Sequence, residues 1–212
     1  MRPIRKGPEP ASLTTYRVRG EATYEGYREK DDLRDALVRE QRGICCYCGG
    51  RIRAALGGMK IEHWHSRSAF PAEQLTYRNL LGACMGGDGP TNSRQHCDTW
   101  KGDKELSRNP ADRAHWPGIE VEFTSRGEIR ATSEPLNSEL SSVLNLNLAE
   151  LKSKRKAVLD GFKRASEMRG GFSRDQLERR LREWNGDGGV DDLKPYCQVV
   201  VHWLRKRLAR AA

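Results

Sequence analysis

Cys45 and Cys48 are separated by two residues, the gap that lets both sulfurs turn toward one ion, and Cys84 and Cys97 supply a second pair. Two pairs of soft thiolates are what a closed tetrahedral zinc site requires. Between the pairs Glu62 is followed directly by His63, and Asp98 follows Cys97. These carboxylates are hard oxygen donors, suited to Mg²⁺ or Mn²⁺ rather than to a thiolate cage. The sequence therefore asks for two metals with different jobs: a structural zinc on Cys45, Cys48, Cys84 and Cys97, and a catalytic divalent ion on Glu62 and Asp98. Cys46 lies between two ligands and reads as a spectator.

Together with Asn79 and the run Cys97-Asp98-Thr99-Trp100-Lys101, these residues resemble the HNH endonuclease superfamily. More narrowly, Met1-Arg2-Pro3-Ile4, Ile61-Glu62-His63 and Leu144-Asn145-Leu146-Asn147 look like the PtuB-like HNH nucleases that accompany retrons and the Septu anti-phage system. The resemblance implies a ββα-metal finger that hydrolyses DNA phosphodiester bonds in anti-phage defence. By position, Glu62 and Asp98 would ligate the divalent ion and His63 would take the proton from the attacking water. Asn79 would fix loop geometry, and Lys101 would contact the scissile phosphate or a neighbour. A helix starting near Asp98 would add its N-terminal dipole. An ABC-type ATPase is the implied protein partner, docking on the N-terminal arm or on the apolar face of the last helix. The chain departs from the family in two ways. Asp98 stands where many members have His or Asn, and twelve residues (85–96) separate Cys84 from Cys97 where most zinc-containing members have a close Cys-x-x-Cys. The loop is glycine-rich and its closure entropy grows only slowly with length, so a four-cysteine site stays feasible.

Other readings stand beside this one. An isolated Glu-His is usually a surface pair, and Cys-x-x-Cys can be a redox motif. A second cysteine pair and the lack of a βαβ setting argue against the latter. His65 is an alternative second-shell group or phosphate contact, and His96 could compete with a cysteine for zinc. His115, His202 and Cys197 have no partner spacing and read as structural, while Trp64, Phe70 and Trp100 read as packing around a small metal core. The competing function is a non-catalytic zinc-ribbon module that binds nucleic acid or protein. A zinc module has no reason to bring Glu62, His63 and Asp98 to one point.

The elements that must position these groups follow from pattern, and the fold class they predict is α+β. Residues 1–30 are rich in Pro, Gly and charge, which predicts an extended arm. In 31–110, Asp31 or Asp32 caps a helix carrying Leu33, Leu37 and Val38, and Gly43 ends it before the knuckle. Arg51-Ile52-Arg53 and Met59-Lys60-Ile61 can pair as a hairpin around Gly57-Gly58, and 76–81 reads as a short helix or loop. In 111–212, alternation over 119–123 and 128–132 predicts a second hairpin. Helices follow through Leu140 to Phe162, a break at Arg169-Gly170-Gly171, and helices at about 173–184 and 193–210.

Composition narrows the class further. With 212 residues a real core is possible, and six cysteines with no recognisable secretory leader point to reduced thiols and the cytoplasm. No apolar run approaches the ~18 residues of a membrane span. Net charge is +9, but residues 1–150 carry 22 Lys+Arg against 21 Asp+Glu, while 151–212 carry 16 against 8. The C-terminal excess, with Lys154, Arg155 and Lys156 as its densest run, reads either as a phosphate-binding surface for DNA or as a solvated helix face.

Overall fold

In a computed structural model, residues 1–89, 92–168, 171–189 and 191–210 are described. The architecture is mixed α+β: helices surround two small antiparallel sheets and a cluster of four cysteines. Arg169 and Gly170, where a helix break is expected, lie outside the described residues. None of the described helices is long and apolar enough to cross a membrane.

Residues 1–30 do not form an extended arm. They contain α1 (Ala11–Arg17), and Met1, Ile4, Leu13 and Tyr27 are buried in the main core. The physical reason is spacing: single apolar residues distributed along a Pro-rich stretch can each enter the core without an amphipathic period. Helix α2 (Lys30–Gln41) follows, burying Leu33, Leu37 and Gln41 at i, i+4 and i+8. It starts one residue before the expected cap, so Asp31 and Asp32 lie in the first turn and favour its dipole rather than cap it. Gly43 accepts a positive φ just past its end, as expected.

The first sheet pairs β1 (Lys60–His63) with β2 (Leu80–Ala83), Glu62 opposite Leu81 and His63 opposite Leu80. This replaces the expected 51–53/59–61 hairpin: Arg51 instead bridges Ile44, and across the Gly57-Gly58 turn Arg53 N donates to Gly58 O at 3.3 Å. All four β2 residues are buried, so β1 gains more by pairing with this apolar strand than with Arg-Ile-Arg. Buried Gln41 serves the other edge of β2: its amide nitrogen donates to Gly82 O at 2.7 Å, and Gly82 N donates to its Oε1 at 2.6 Å. A Cβ on Gly82 would stand 2.9 Å from Ile52 Cδ1 and 3.2 Å from the Gln41 amide nitrogen, so glycine permits this close approach.

After the single turn α3 (Asp98–Lys101), the second hairpin forms as expected in position: β3 (Val121–Phe123) pairs with β4 (Ile129–Ala131). Helix α4 (Glu134–Ser142) leads into Leu144-Asn145-Leu146-Asn147, a cross-brace. Leu144 O accepts from Cys97 N at 2.9 Å, Asn145 donates to Gln95 O at 2.8 Å, and the Asn147 side chain bonds both N and O of Ile129. Helices α5 (Ala149–Glu167), α6 (Arg174–Asn185) and α7 (Cys197–Arg210) enclose a second core of Leu159, Phe162, Leu177, Val199, Val200 and Leu204. The apolar face of α7 therefore closes this core and is not spare surface.

Boundaries at 30 and 110 do not divide the core, since one buried cluster runs from Met1 to Leu151. Residues 192–196 grip the cysteine knuckle from the other end: Tyr196 N donates to Gly49 O and Arg51 donates to Leu193 O. Arg155 is a further correction. Its side chain is 1% exposed, with Nε donating to Gly127 O at 2.7 Å and Nη2 to Leu146 O at 2.6 Å. It ties α5 to the hairpin turn and the cross-brace, and presents no charge to a nucleic acid. Lys154 and Lys156 are exposed, each paired one helical turn away, with Glu150 and Asp160. Arg155→Met should leave those carbonyls unpaired and cost about 2–4 kcal/mol in urea unfolding, whereas Lys154→Glu and Lys156→Glu should stay within about 0.5 kcal/mol.

Candidate metal centre and active site

The four cysteines come from three places. Cys45 and Cys48 flank a tight knuckle closed by Cys45 N to Gly50 O, Cys84 directly follows β2, and Cys97 precedes α3. Their sulfurs all lie within 4.8 Å of one another. Cys45 to Cys97 is 3.9 Å and Cys48 to Cys84 is 3.7 Å. Thiolates about 2.3 Å from a tetrahedral zinc would stand roughly 3.8 Å apart, so the cluster fits such an ion. These residues form a possible metal-binding site, consistent with structural zinc. The long 85–96 connection is no obstacle because its ends meet: His96 N donates to Gly86 O at 2.9 Å, with Gly86 at φ +63. A Cβ there would lie 2.3 Å from His96 O.

Cys46 is buried but outside the cluster, its N donating to Gly82 O. His96 is not among the four either, although its Nδ1 is 3.2 Å from Cys97 Sγ and 3.9 Å from Cys84 Sγ. Burial holds its imidazole below the usual range, and as a neutral ring it borders the sulfurs. Four thiols crowded without an ion cannot ionise together. Burial and the neighbouring thiols push Cys97 up, while at Cys45 burial is outweighed by sulfur donors that pull it down.

The second group of interest is built at the end of β1. Glu62 is 2% exposed, and its Oε1 accepts from Tyr47 Oη at 2.7 Å and faces Lys101 Nζ at 3.1 Å. Asp98 lies close enough to act on this carboxyl electrostatically. Burial first and Asp98 second push Glu62 well above the usual carboxylate range. A buried carboxyl beside a second, half-buried one is costly to ionise without a cation. Such a donor pair suits Mg²⁺, which is commonly held by one or two carboxylates together with substrate phosphates.

His63 sits beside this pair. Its Nε2 lies 2.9 Å from Gln74 O, which fixes the tautomer with the proton on Nε2 and leaves Nδ1 free of any hydrogen bond to the described residues. Burial lowers its pKa from 6.5 to about 4, so the ring is neutral at pH 7. Asn79 pins the loop between the strands, accepting from His65 N at 2.8 Å and donating to His65 O at 3.0 Å. His65 itself stacks between Trp64 and Phe70 and faces Glu73 and Glu105 across its two nitrogens. Because those carboxylates lie on opposite sides of the ring, they do not converge on one ligand position.

Lys101 is placed differently from expectation. Its ammonium is sealed inside, donating to His63 O at 3.0 Å as well as facing Glu62, so it anchors the site rather than contacting nucleic acid. With α3 a single turn of four residues, no substantial helix dipole is aimed at the site. Tyr47, Gln74 and Tyr24 were not singled out from sequence. Tyr47 lies inside a cysteine motif that draws notice to its sulfurs, Gln74 acts through its main chain, and Tyr24 reaches His63 only by tertiary packing. His115 and Cys197 are buried or bonded in structural positions, His115 Nδ1 accepting from Asn109 N. Comparison of the chain with protein-family models and with curated proteins finds no match.

Purified protein should contain about one zinc per chain by elemental analysis, and Cys48→Ser or Cys97→Ser should lose both zinc and stability. Dispersed stoichiometry or a stable zinc-free protein would contradict the assignment. Glu62 makes a second expectation. A carboxyl raised in the fold supports folding below its ordinary value of 4.5 and withdraws that support as pH climbs through the raised value. Zinc-loaded, magnesium-free Glu62→Gln should therefore be more resistant to urea than wild type at pH 8, the advantage vanishing below 4.5. Wild type more stable at both pH values would contradict this.

Proposed function

We propose that this chain is a divalent-metal-dependent HNH-type endonuclease acting on DNA, in which the cysteine cluster holds a structural zinc. The observation that carries the reading is the convergence of Glu62, His63 and Asp98. Asp98 acts electrostatically on both Glu62 and His63, and the imidazole is held by one nitrogen with the other free of any hydrogen bond to the described residues. A binding-only zinc module gives no reason to bury Glu62, under the influence of Asp98, beside an oriented histidine. In this reading β1, β2 and α3, which come in that order along the chain, would make up the ββα unit.

In this reading Glu62 and Asp98 would hold the divalent ion, which supplies charge stabilisation for the phosphate and the departing oxygen. His63 Nδ1 accepts the proton of the attacking water, and Gln74 O stabilises the imidazolium that results by accepting from Nε2. Tyr47 and Lys101 hold Glu62 in place. Lys101 also fixes the His63 carbonyl, so the acid and the base are positioned by one ammonium.

A role in anti-phage defence and an ABC-type ATPase partner follow from the PtuB-like resemblance. Neither residues 1–30 nor the α7 face carries that proposal, since both are packed into the protein.

The test is cleavage of plasmid and single-stranded DNA with Mg²⁺, Mn²⁺ or chelator. Wild type should cleave only with the divalent ion. His63→Ala should lose at least about 10²-fold in rate with zinc and fold intact, which is the scale of general-base catalysis. Asp98→Ala should behave similarly. Wild-type turnover by His63→Ala would remove the base assignment, and an inert wild type that still binds DNA would favour the zinc module.

A further inference from the structure

Next to His63 the protein builds a second constellation. Tyr24 meets the His63 ring edge-on at 4.6 Å and 87°. Gln74 joins the two: its carbonyl takes the His63 Nε2 contact, and its side-chain oxygen accepts from Tyr24 N at 2.9 Å. The Arg67 guanidinium lies over the Tyr24 ring, 4.9 Å from its centre. It is close enough to act on His63, opposing protonation of the imidazole. Its terminal nitrogen is paired with the carboxylate of Glu25. The side chains of Arg67 and Glu25 are 43% and 68% exposed.

We propose that Arg67 binds a phosphate of the DNA substrate beside His63, and that Glu25 occupies its guanidinium until DNA displaces it. The proposal rests on the nuclease reading above and names the group that site lacks: a cation able to hold a phosphate. Lys101 is sealed in and Arg155 is consumed by carbonyls, so neither can serve. A guanidinium presents a planar fork that matches a carboxylate and a phosphate alike, and a carboxylate already in that fork marks where a phosphate oxygen fits. Stacking on Tyr24 pre-orients the fork, so little freedom is lost when the occupant changes. The pair with Glu25 is solvent-exposed, and pairs of this kind are weak and easily exchanged. A phosphodiester that also meets the divalent ion has an advantage over one carboxylate. Tyr24 and Glu25 both lie in the N-terminal 30 residues, which thereby become a wall of the site.

Three variants separate this from a merely structural ion pair. Binding of a duplex DNA to cleavage-dead His63→Ala, and KM for plasmid cleavage in the active background, are measured for Arg67→Gln, Arg67→Lys and Glu25→Gln. Arg67→Gln should weaken DNA binding about 10-fold and reduce the slope of log K against log salt by about 1. Glu25→Gln should tighten binding several-fold, and Arg67→Lys should keep the salt slope while recovering only part of the affinity. Thermal unfolding of each variant confirms the fold. A structural pair predicts that both neutralisations move binding in the same direction or not at all, and either result overturns the proposal. If wild type neither binds nor cleaves DNA, the nuclease reading falls and takes this with it. If wild type cleaves while Arg67→Gln keeps its KM and salt slope, this inference alone falls.

Discussion

Four sulfurs from three separate segments meet in a space where only a cation makes the meeting favourable. Without one, burial and mutual proximity raise thiols such as Cys97 and leave the knuckle, the end of β2 and the start of α3 with no strong mutual tie. With one, those segments are fixed at once, and the rest of the site depends on that registration. Cys84 directly follows the strand that sets the register of Glu62 and His63, and Cys97 directly precedes Asp98. Metal affinity is thereby folding free energy, and a centre that does no chemistry sets the distance between the carboxyls that would.

The second constraint is electrostatic and works against stability. Glu62 is held in the interior under the electrostatic influence of Asp98, with Lys101 the buried counter-charge and Tyr47 the neutral donor. A core of apolar side chains at these positions would fold at lower cost. Tyr47 and Lys101 restrain Glu62 from inside the protein, and burial keeps the neighbouring His63 neutral.

The metal ligands were legible because thiolate chemistry is tied to residue type and spacing, and a Cys-x-x-Cys pair needs no tertiary information. Glu62, His63 and Asp98 stood out as a set only through the resemblance to a known family, since an isolated Glu-His pair reads as a surface feature. The second hairpin and the helices from α4 onward followed from period alone. What escaped depended on competition between partners. Met59-Lys60-Ile61 has a nearby candidate strand in Arg51-Ile52-Arg53, and only burial of Leu80 to Ala83 decides the pairing in favour of β2. Arg155 and Lys101 have the composition of phosphate ligands, but a basic residue on a helix does not announce which carbonyls surround it. Residues 1–30 failed the amphipathic test because Ile4, Leu13 and Tyr27 enter the core singly.

The bonds from residues 192–196 back to the knuckle have a kinetic consequence. Arg51 and Leu193 are 142 residues apart in the chain, and Arg42 reaches Gly186 across 144. Contacts of that range are slow to form, because a long closure must be completed before it is rewarded. During synthesis, the knuckle is made early and must wait for these later residues to emerge. The site thus reaches its finished geometry late, after nearly all of the described protein has been translated. That order leaves products truncated before residue 192 without the bonds that brace the knuckle.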